Sequence, residues 1–72
     1  MPEHSEIAIV VNGENVRKRA GLTVTELIGE LGLQPGRVAI ERNLQILPRP
    51  RWHETPIQDG DRLEIVQFVG GG

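Results

Sequence analysis

The segment LEIVQFV, residues 63–69, carries the strongest strand signal in the chain, and it leads directly into three glycines, residues 70–72. The apolar run IAIVV, residues 7–11, predicts another strand. It is followed by Asn12-Gly13, a dipeptide that favours a hairpin turn because both positions tolerate positive φ. Residues 15–19 then form a polar strand with Val16 facing inward. Because the first and last strands are the most apolar, we predict that they lie side by side in the centre of a sheet.

The sequence that follows the hairpin predicts a short helix. Thr23 and Glu26 have the spacing of a capping box, in which each side chain accepts a hydrogen bond from the other residue's backbone. Gly29 inside the helix costs about 1 kcal/mol relative to alanine, and Gly32 suits the left-handed position just past a helix end. The predicted core-facing stripe consists of Val24, Leu27, Ile28 and Leu31.

The remaining segments are shorter. Residues 38–41 read as a strand, Asn43 as a turn, and residues 46–47 as a short strand that Pro48 stops. Residues 52–58 are irregular or a single helical turn, and residues 59–61 form a turn. We expect Trp52 to pack beneath the irregular passage, with a position at a partner surface as the alternative. The pattern predicts an α+β domain, a mixed sheet of four to five strands packed on one main helix. We expect a disordered leader at 1–6, the domain at 7–69 and a flexible glycine tail at 70–72.

Composition excludes several classes of function. The 72 residues carry a net charge of -2 and no cysteine or tyrosine, and the single serine, Ser5, lies in the leader. His53 and Glu54 are the only adjacent acid–base candidates, with no nucleophile in view, so a self-contained enzyme is disfavoured and no metal site is predicted. An acidic chain without a long apolar run favours neither nucleic acid nor a membrane as a partner. We expect a cytoplasmic protein.

Basic residues are interpreted as solvated surface. Residues 17–19, Arg-Lys-Arg, are too short a run to indicate more than a charged strand face, with contact to an acidic partner as the alternative. Arg49, Arg51 and Arg62 are likewise interpreted as ordinary solvated charges.

Alternation in the last strand predicts an exposed apolar face. Leu63 and Ile65 would face the helix, and Glu64, Val66 and Phe68 would point away from it. Ala8 and Val10 of the first strand are predicted to lie beside Val66 and Phe68. Since a small domain has nothing else to cover such a face, we expect these four apolar residues to bind a partner.

The glycine tail suits a carrier of a chemical group. Gly70, Gly71 and Gly72 lack side chains, so the tail can enter a narrow channel, and three extended residues reach roughly 10 Å. A frayed terminus is the simpler interpretation, but no other reactive group competes with the carboxylate of Gly72. A carboxylate is a poor electrophile and must be activated before a nucleophile can attack it. We expect a partner that uses ATP and Mg²⁺ to activate it by adenylation. This chain itself is expected to bind no cofactor.

The sequence contains VAIERN at 38–43, ILPR at 46–49, Trp52, TPI at 55–57, DGDRLEIV at 59–66 and FVGGG at 68–72. Together these motifs resemble the ThiS family of thiamine biosynthesis. The resemblance covers residues 7–72. It implies a ubiquitin-like β-grasp fold and conversion of Gly72 to a thiocarboxylate after adenylation by a ThiF-type enzyme. Sulfur from a cysteine desulfurase or another donor would pass to the thiazole synthase ThiG.

Related functions stay open on the sequence. A carrier for molybdopterin synthesis (the MoaD type) or for tRNA thiolation has the same fold and tail, and a ubiquitin-like modifier would join its terminus to lysines instead. Gly70 and the leader vary from the shortest ThiS pattern without affecting the predicted chemistry.

Overall fold

The computed structural model describes residues 5–68, which form a five-stranded mixed sheet with one α-helix against it. The sheet order is β2-β1-β5-β3-β4, so β5 is the central strand. Two short 3₁₀ helices, Pro35–Arg37 and Arg49–Glu54, flank β3 and β4 in sequence. The elements are β1 Glu6–Val11, β2 Glu14–Arg19, α1 Val24–Glu30, β3 Val38–Arg42, β4 Gln45–Ile46 and β5 Arg62–Gln67.

The first hairpin forms as predicted. Asn12 and Gly13 have φ values of 51° and 85°, the two positive values that a type I′ turn requires, and Val11 pairs with Glu14 across it. β1 lies parallel and adjacent to β5, which confirms the predicted pairing of the first and last strands. The predicted boundary of the leader at residue 6 is wrong, because Glu6 belongs to β1. The carbonyl of Ser5 also accepts a hydrogen bond from Ala20 N at 2.8 Å. Residues 1–4 lie outside the described residues.

The helix is capped as the sequence predicts. Glu26 N donates to Thr23 Oγ1 at 3.2 Å, and Thr23 N donates to Glu26 Oε1 at 2.9 Å. Gly32 has a φ of 73°, as expected for the residue after the helix end. The prediction that Leu31 belongs to the core-facing stripe is wrong. The helix α1 ends at Glu30, so Leu31 is the C-cap residue, and it is 42% exposed.

The core lies between the sheet and α1. The Trp52 ring is buried, and its Nε1 donates to the Leu47 carbonyl at 2.9 Å, which confirms its predicted packing role. Arg49 is exposed, as expected of a surface charge, but it also makes contacts within the domain that were not predicted. Its guanidinium donates to the carbonyls of Pro35 and Val38, both at 3.0 Å, and lies 5.3 Å from the Trp52 ring centroid. The largest fully buried side chains are Ile9, Leu22, Val24, Leu27, Ile28, Val38, Ile40 and Leu63.

The described segment shows neither a membrane-length apolar helix nor a cluster of three or more residues of metal-ligating type.

Candidate functional site

The turn before β5 is hydrogen-bonded to β1. Asp59 Oδ1 accepts from Ala8 N at 2.8 Å, and Gly60 N donates to the Ala8 carbonyl at 2.7 Å. Val10 N donates to the Asp61 carbonyl at 2.9 Å, so the ladder continues from the turn into β5. Gly60 has a φ of 88°, which favours glycine there. This arrangement fixes where β5 begins relative to β1.

Asp61 is the one buried charged residue among those described, and its carboxylate accepts three hydrogen bonds that join two segments of the chain. It accepts from Arg42 Nε at 2.8 Å, from Asn43 Nδ2 at 3.0 Å and from Gln58 N at 2.8 Å. Burial favours the neutral acid, but the hydrogen bonds from Gln58 and Asn43 and the charge of Arg42 outweigh it and lower the pKa of Asp61. The ionised carboxylate therefore ties β3 to the start of β5.

The side chain of Asn12 extends the parallel ladder between β1 and β5. Asn12 N donates to the Leu63 carbonyl at 2.9 Å. Beyond it, Ile65 N donates to Asn12 Oδ1 at 2.7 Å, and Asn12 Nδ2 donates to the Ile65 carbonyl at 3.2 Å. The amide thus pairs with β5 after β1 has turned away. Sequence reasoning used Asn12 only as a turn residue, because nothing in the sequence alone shows which backbone its amide reaches.

On its other side, β5 is held by β3 as far as the last described residue. Val38 pairs with Gln67 and Ala39 with Val66 in an antiparallel ladder. Phe68 N then donates to the Arg37 carbonyl at 2.7 Å. The backbone is thus fixed on the sheet up to Phe68. Val69 and the predicted tail residues Gly70, Gly71 and Gly72 lie outside the described part of the chain.

The predicted alternation of faces in β5 is confirmed. Leu63 and Ile65 are buried against α1, whereas Val66 is 58% exposed and Phe68 is 53% exposed. Glu64 is also exposed, on the same side as Val66. Large apolar side chains therefore lie on the outer face of the sheet beside the point where the tail begins.

Ala8 and Val10 do not lie beside Val66 and Phe68, which corrects the predicted four-residue surface. Val10 is opposite Arg62 in the parallel pairing of β1 with β5. Val66 is four residues further along β5, about 13 Å at the usual rise of a strand. Ala8 is exposed and Val10 half-buried, but at the other end of the face. Hydrophobic pattern alone identified the face and left the register between the strands undetermined.

The neighbours that Val66 does have come from the β3–β4 hairpin. Ala39 is directly opposite Val66, and Ile46 of β4 is opposite Glu41. Ile46 is 67% exposed. A shallow groove of about 280 Å³ runs over this part of the sheet and is lined by Ala39, Ile40, Glu41, Ile46, Glu64 and Val66. We refer to this surface together with Phe68 as the outer groove. Sequence reasoning missed Ala39 and Ile46 because it assigned no face to β3 or β4.

Two of the three basic residues on β2 form ion pairs within the domain. Arg17 lies 3.7 Å from the carboxylate of Glu6, and Lys18 lies 3.0 Å from that of Glu30. Arg51 pairs with Glu54 at 2.9 Å, and both side chains are more than half exposed. These contacts agree with the interpretation of the basic residues as surface charges.

Comparison with known proteins shows the family to which this chain belongs. The family model described as ThiS family matches residues 17–72. The chain belongs to the ThiS family. It is 40% identical over 63 residues to the sulfur carrier protein ThiS of Bacillus subtilis, covering 86% of this chain and 96% of that one. A crystal structure of ThiS from Geobacter metallireducens superposes with a TM-score of 0.78 at 35% identity, covering 92% of this chain and all of that one.

Two further comparisons define the family context. A ubiquitin of Caldiarchaeum subterraneum matches with a TM-score of 0.56 at 22% identity, over 96% of this chain and 99% of that one, which shows the ubiquitin-like β-grasp fold. The thiazole synthase of Paramagnetospirillum magneticum is 48% identical over 64 residues, 89% of this chain. This chain spans only about a fifth of the length of that protein and of a second thiazole synthase that it matches.

Proposed function

We propose that this ThiS-family chain carries sulfur for the thiazole ring of thiamine, as a thiocarboxylate on Gly72. The observation that carries the proposal is the 48% identical segment within a protein named thiazole synthase. A carrier-like segment and a thiazole synthase that share one polypeptide work at matched concentrations and in reach of each other. That favours thiazole synthesis over molybdopterin synthesis or tRNA thiolation as the destination of the sulfur.

The proposed chemistry has three steps, all of which depend on partner proteins. A ThiF-type enzyme with ATP and Mg²⁺ joins the Gly72 carboxylate to AMP and releases pyrophosphate. A persulfide supplied by a cysteine desulfurase or another donor then displaces AMP and forms an acyl disulfide. A thiol reduces the disulfide, leaving the thiocarboxylate on Gly72 and forming a disulfide with the donor. The chain supplies the acyl group and the recognition surface, as a group carrier does.

The described structure supports this division of labour. Hydrogen bonds hold β5 to β1 and Asn12 as far as Ile65, and to β3 and Arg37 as far as Phe68, so the domain offers a fixed starting point for residues 69–72. Covalent geometry limits the distance from Phe68 to the carboxylate to about 14 Å. Val66 and Phe68 flank this starting point and are exposed. A partner that docks on the outer groove therefore has the carboxylate within reach of its own active site.

Reconstitution tests the proposal. The domain is incubated with a ThiF-type enzyme, ATP, Mg²⁺ and a sulfide or persulfide source, and its intact mass is measured. We expect an increase equal to the difference between one sulfur and one oxygen atom, and no change in a variant that lacks residues 70–72. Omission of ATP is the matched control. An unchanged wild-type mass contradicts the proposal, and linkage of the terminus to lysines of other proteins indicates a ubiquitin-like modifier instead.

The destination of the sulfur is tested separately in cells. The gene should restore growth of a strain that lacks its thiamine sulfur carrier when thiamine is withheld. Rescue of a molybdenum-cofactor mutant in place of the thiamine auxotroph would contradict the assignment to thiazole synthesis and leave the carrier chemistry standing.

A further inference from the structure

The outer groove contains a pair of like charges that the sheet places directly opposite each other. Glu41 of β3 and Glu64 of β5 are register partners in the antiparallel ladder. Directly opposed side chains have Cβ atoms about 5 Å apart, and like charges at such positions destabilise a sheet. Within residues 5–68, the ion pairs involve neither glutamate. The isolated domain therefore bears a local electrostatic cost at this position.

Apolar side chains surround the two carboxylates. Ile46 is opposite Glu41 on one side of the pair, and the Val66–Ala39 pair is the next outward-facing row along the strands. Glu41 is only half-exposed. An acidic pair with apolar walls matches the side chain of arginine or lysine, whose aliphatic stem packs on apolar surface while its charged end reaches carboxylates. An arginine has the further advantage of a planar fork that can donate to both carboxylates.

We propose that the outer groove receives an arginine or lysine that projects from an apolar surface of the thiazole synthase partner, and that Glu41 and Glu64 together bind it. This inference rests on the proposed function, and it adds the chemical character of the partner's contact. A thiazole synthase is favoured as the occupant because similar segments occur within proteins of that name. Complementary charge in such a contact gives orientation and partner choice beyond what the apolar area supplies.

The proposal makes stability and binding change in opposite directions, which a purely structural role does not. In the double variant Glu41→Gln, Glu64→Gln, the repulsion is removed without a change of shape. We expect its urea midpoint to rise and its dissociation constant for thiazole synthase, measured by calorimetry at low salt, to increase at least tenfold. The salt dependence of binding should become weaker, because an ion pair across the interface has been lost. Each single substitution should show part of both effects.

Glu54→Gln is the matched control for each single substitution, since Glu54 lies on the 3₁₀ helix that packs with α1 and its substitution also removes one negative charge. It should leave binding unchanged. Equal binding of the double variant and the wild type, a lowered urea midpoint, or no binding of the wild type to thiazole synthase overturns the proposal. So does a concentration-dependent dimer of the free domain that the double variant disperses, because the occupant is then a second copy. The proposed function is judged independently by the gain of sulfur on the wild-type chain.

Discussion

Replacing Phe68 with aspartate should damage partner binding far more than folding. Phe68 is 53% exposed, so about half of its side chain leaves water on folding. Full burial of such a side chain contributes about 1.5–3 kcal/mol, and half of that gives a cost near 1 kcal/mol for Phe68→Asp. Leu27, in contrast, is fully buried, and Leu27→Ala should cost about 2–5 kcal/mol as a core truncation.

The two variants are compared by urea unfolding and by their affinity for the ThiF-type adenylating enzyme. A loss of 1 kcal/mol lowers the urea midpoint of a domain this small by roughly 1 M, so the difference between the variants is easily measured. We expect Phe68→Asp to stay folded and to bind at least tenfold more weakly. Leu27→Ala, where still folded, should bind like the wild type. A stability loss from Phe68→Asp as large as that from Leu27→Ala would refute the placement of Phe68 on an outer binding face.

Three further substitutions test the local physics. Gly29→Ala should stabilise the domain by about 0.5–1 kcal/mol in a urea melt, because a Cβ at this helical position meets open space; a destabilised variant would contradict that geometry. Leu44→Gly should also raise the free energy of unfolding by about 0.5–1 kcal/mol, since Leu44 has a φ of 73° and is 84% exposed, so that relief of strain exceeds the lost burial; a lower urea midpoint would contradict it. The pKa of Asp61 is lowered by folding, so the stability it contributes is fully present above its unfolded pKa of about 3.9 and is lost as the pH falls through the lower folded value. Asp61→Asn should cost about 2–3 kcal/mol at pH 7 and flatten the decline in acid, as followed by urea melts from pH 7 to pH 2; an equally steep decline in the variant would contradict the assignment.

The sequence predicted those features that depend on local chemistry. The Asn12-Gly13 turn, the Thr23–Glu26 capping box and the left-handed Gly32 each follow from what one short segment requires of its backbone. Alternation in residues 63–69 correctly placed Val66 and Phe68 outside. These patterns repeat with a fixed period or use residues with special backbone preferences, so they are visible without knowledge of distant contacts.

What the sequence could not predict depends on register and on long-range contacts. Val10 was placed near Val66, but pairing with Arg62 puts it at the far end of the face. Arg49 is exposed as predicted, but its guanidinium also donates to carbonyls more than ten residues away, which the sequence did not indicate. The hydrogen bonds of the buried Asp61 carboxylate and those of the Asn12 side chain likewise join segments that are distant in sequence. No local pattern specifies which distant backbone group a polar side chain meets.

The most direct test of the carrier function is the intact mass of this protein isolated from its own cells during thiamine limitation. The account predicts a population whose Gly72 carries sulfur in place of one carboxylate oxygen, and which returns to the unmodified mass when thiazole synthase and its substrates are added. A protein that is present only with an unmodified carboxylate, even in cells that lack thiazole synthase and so cannot discharge it, would contradict the account.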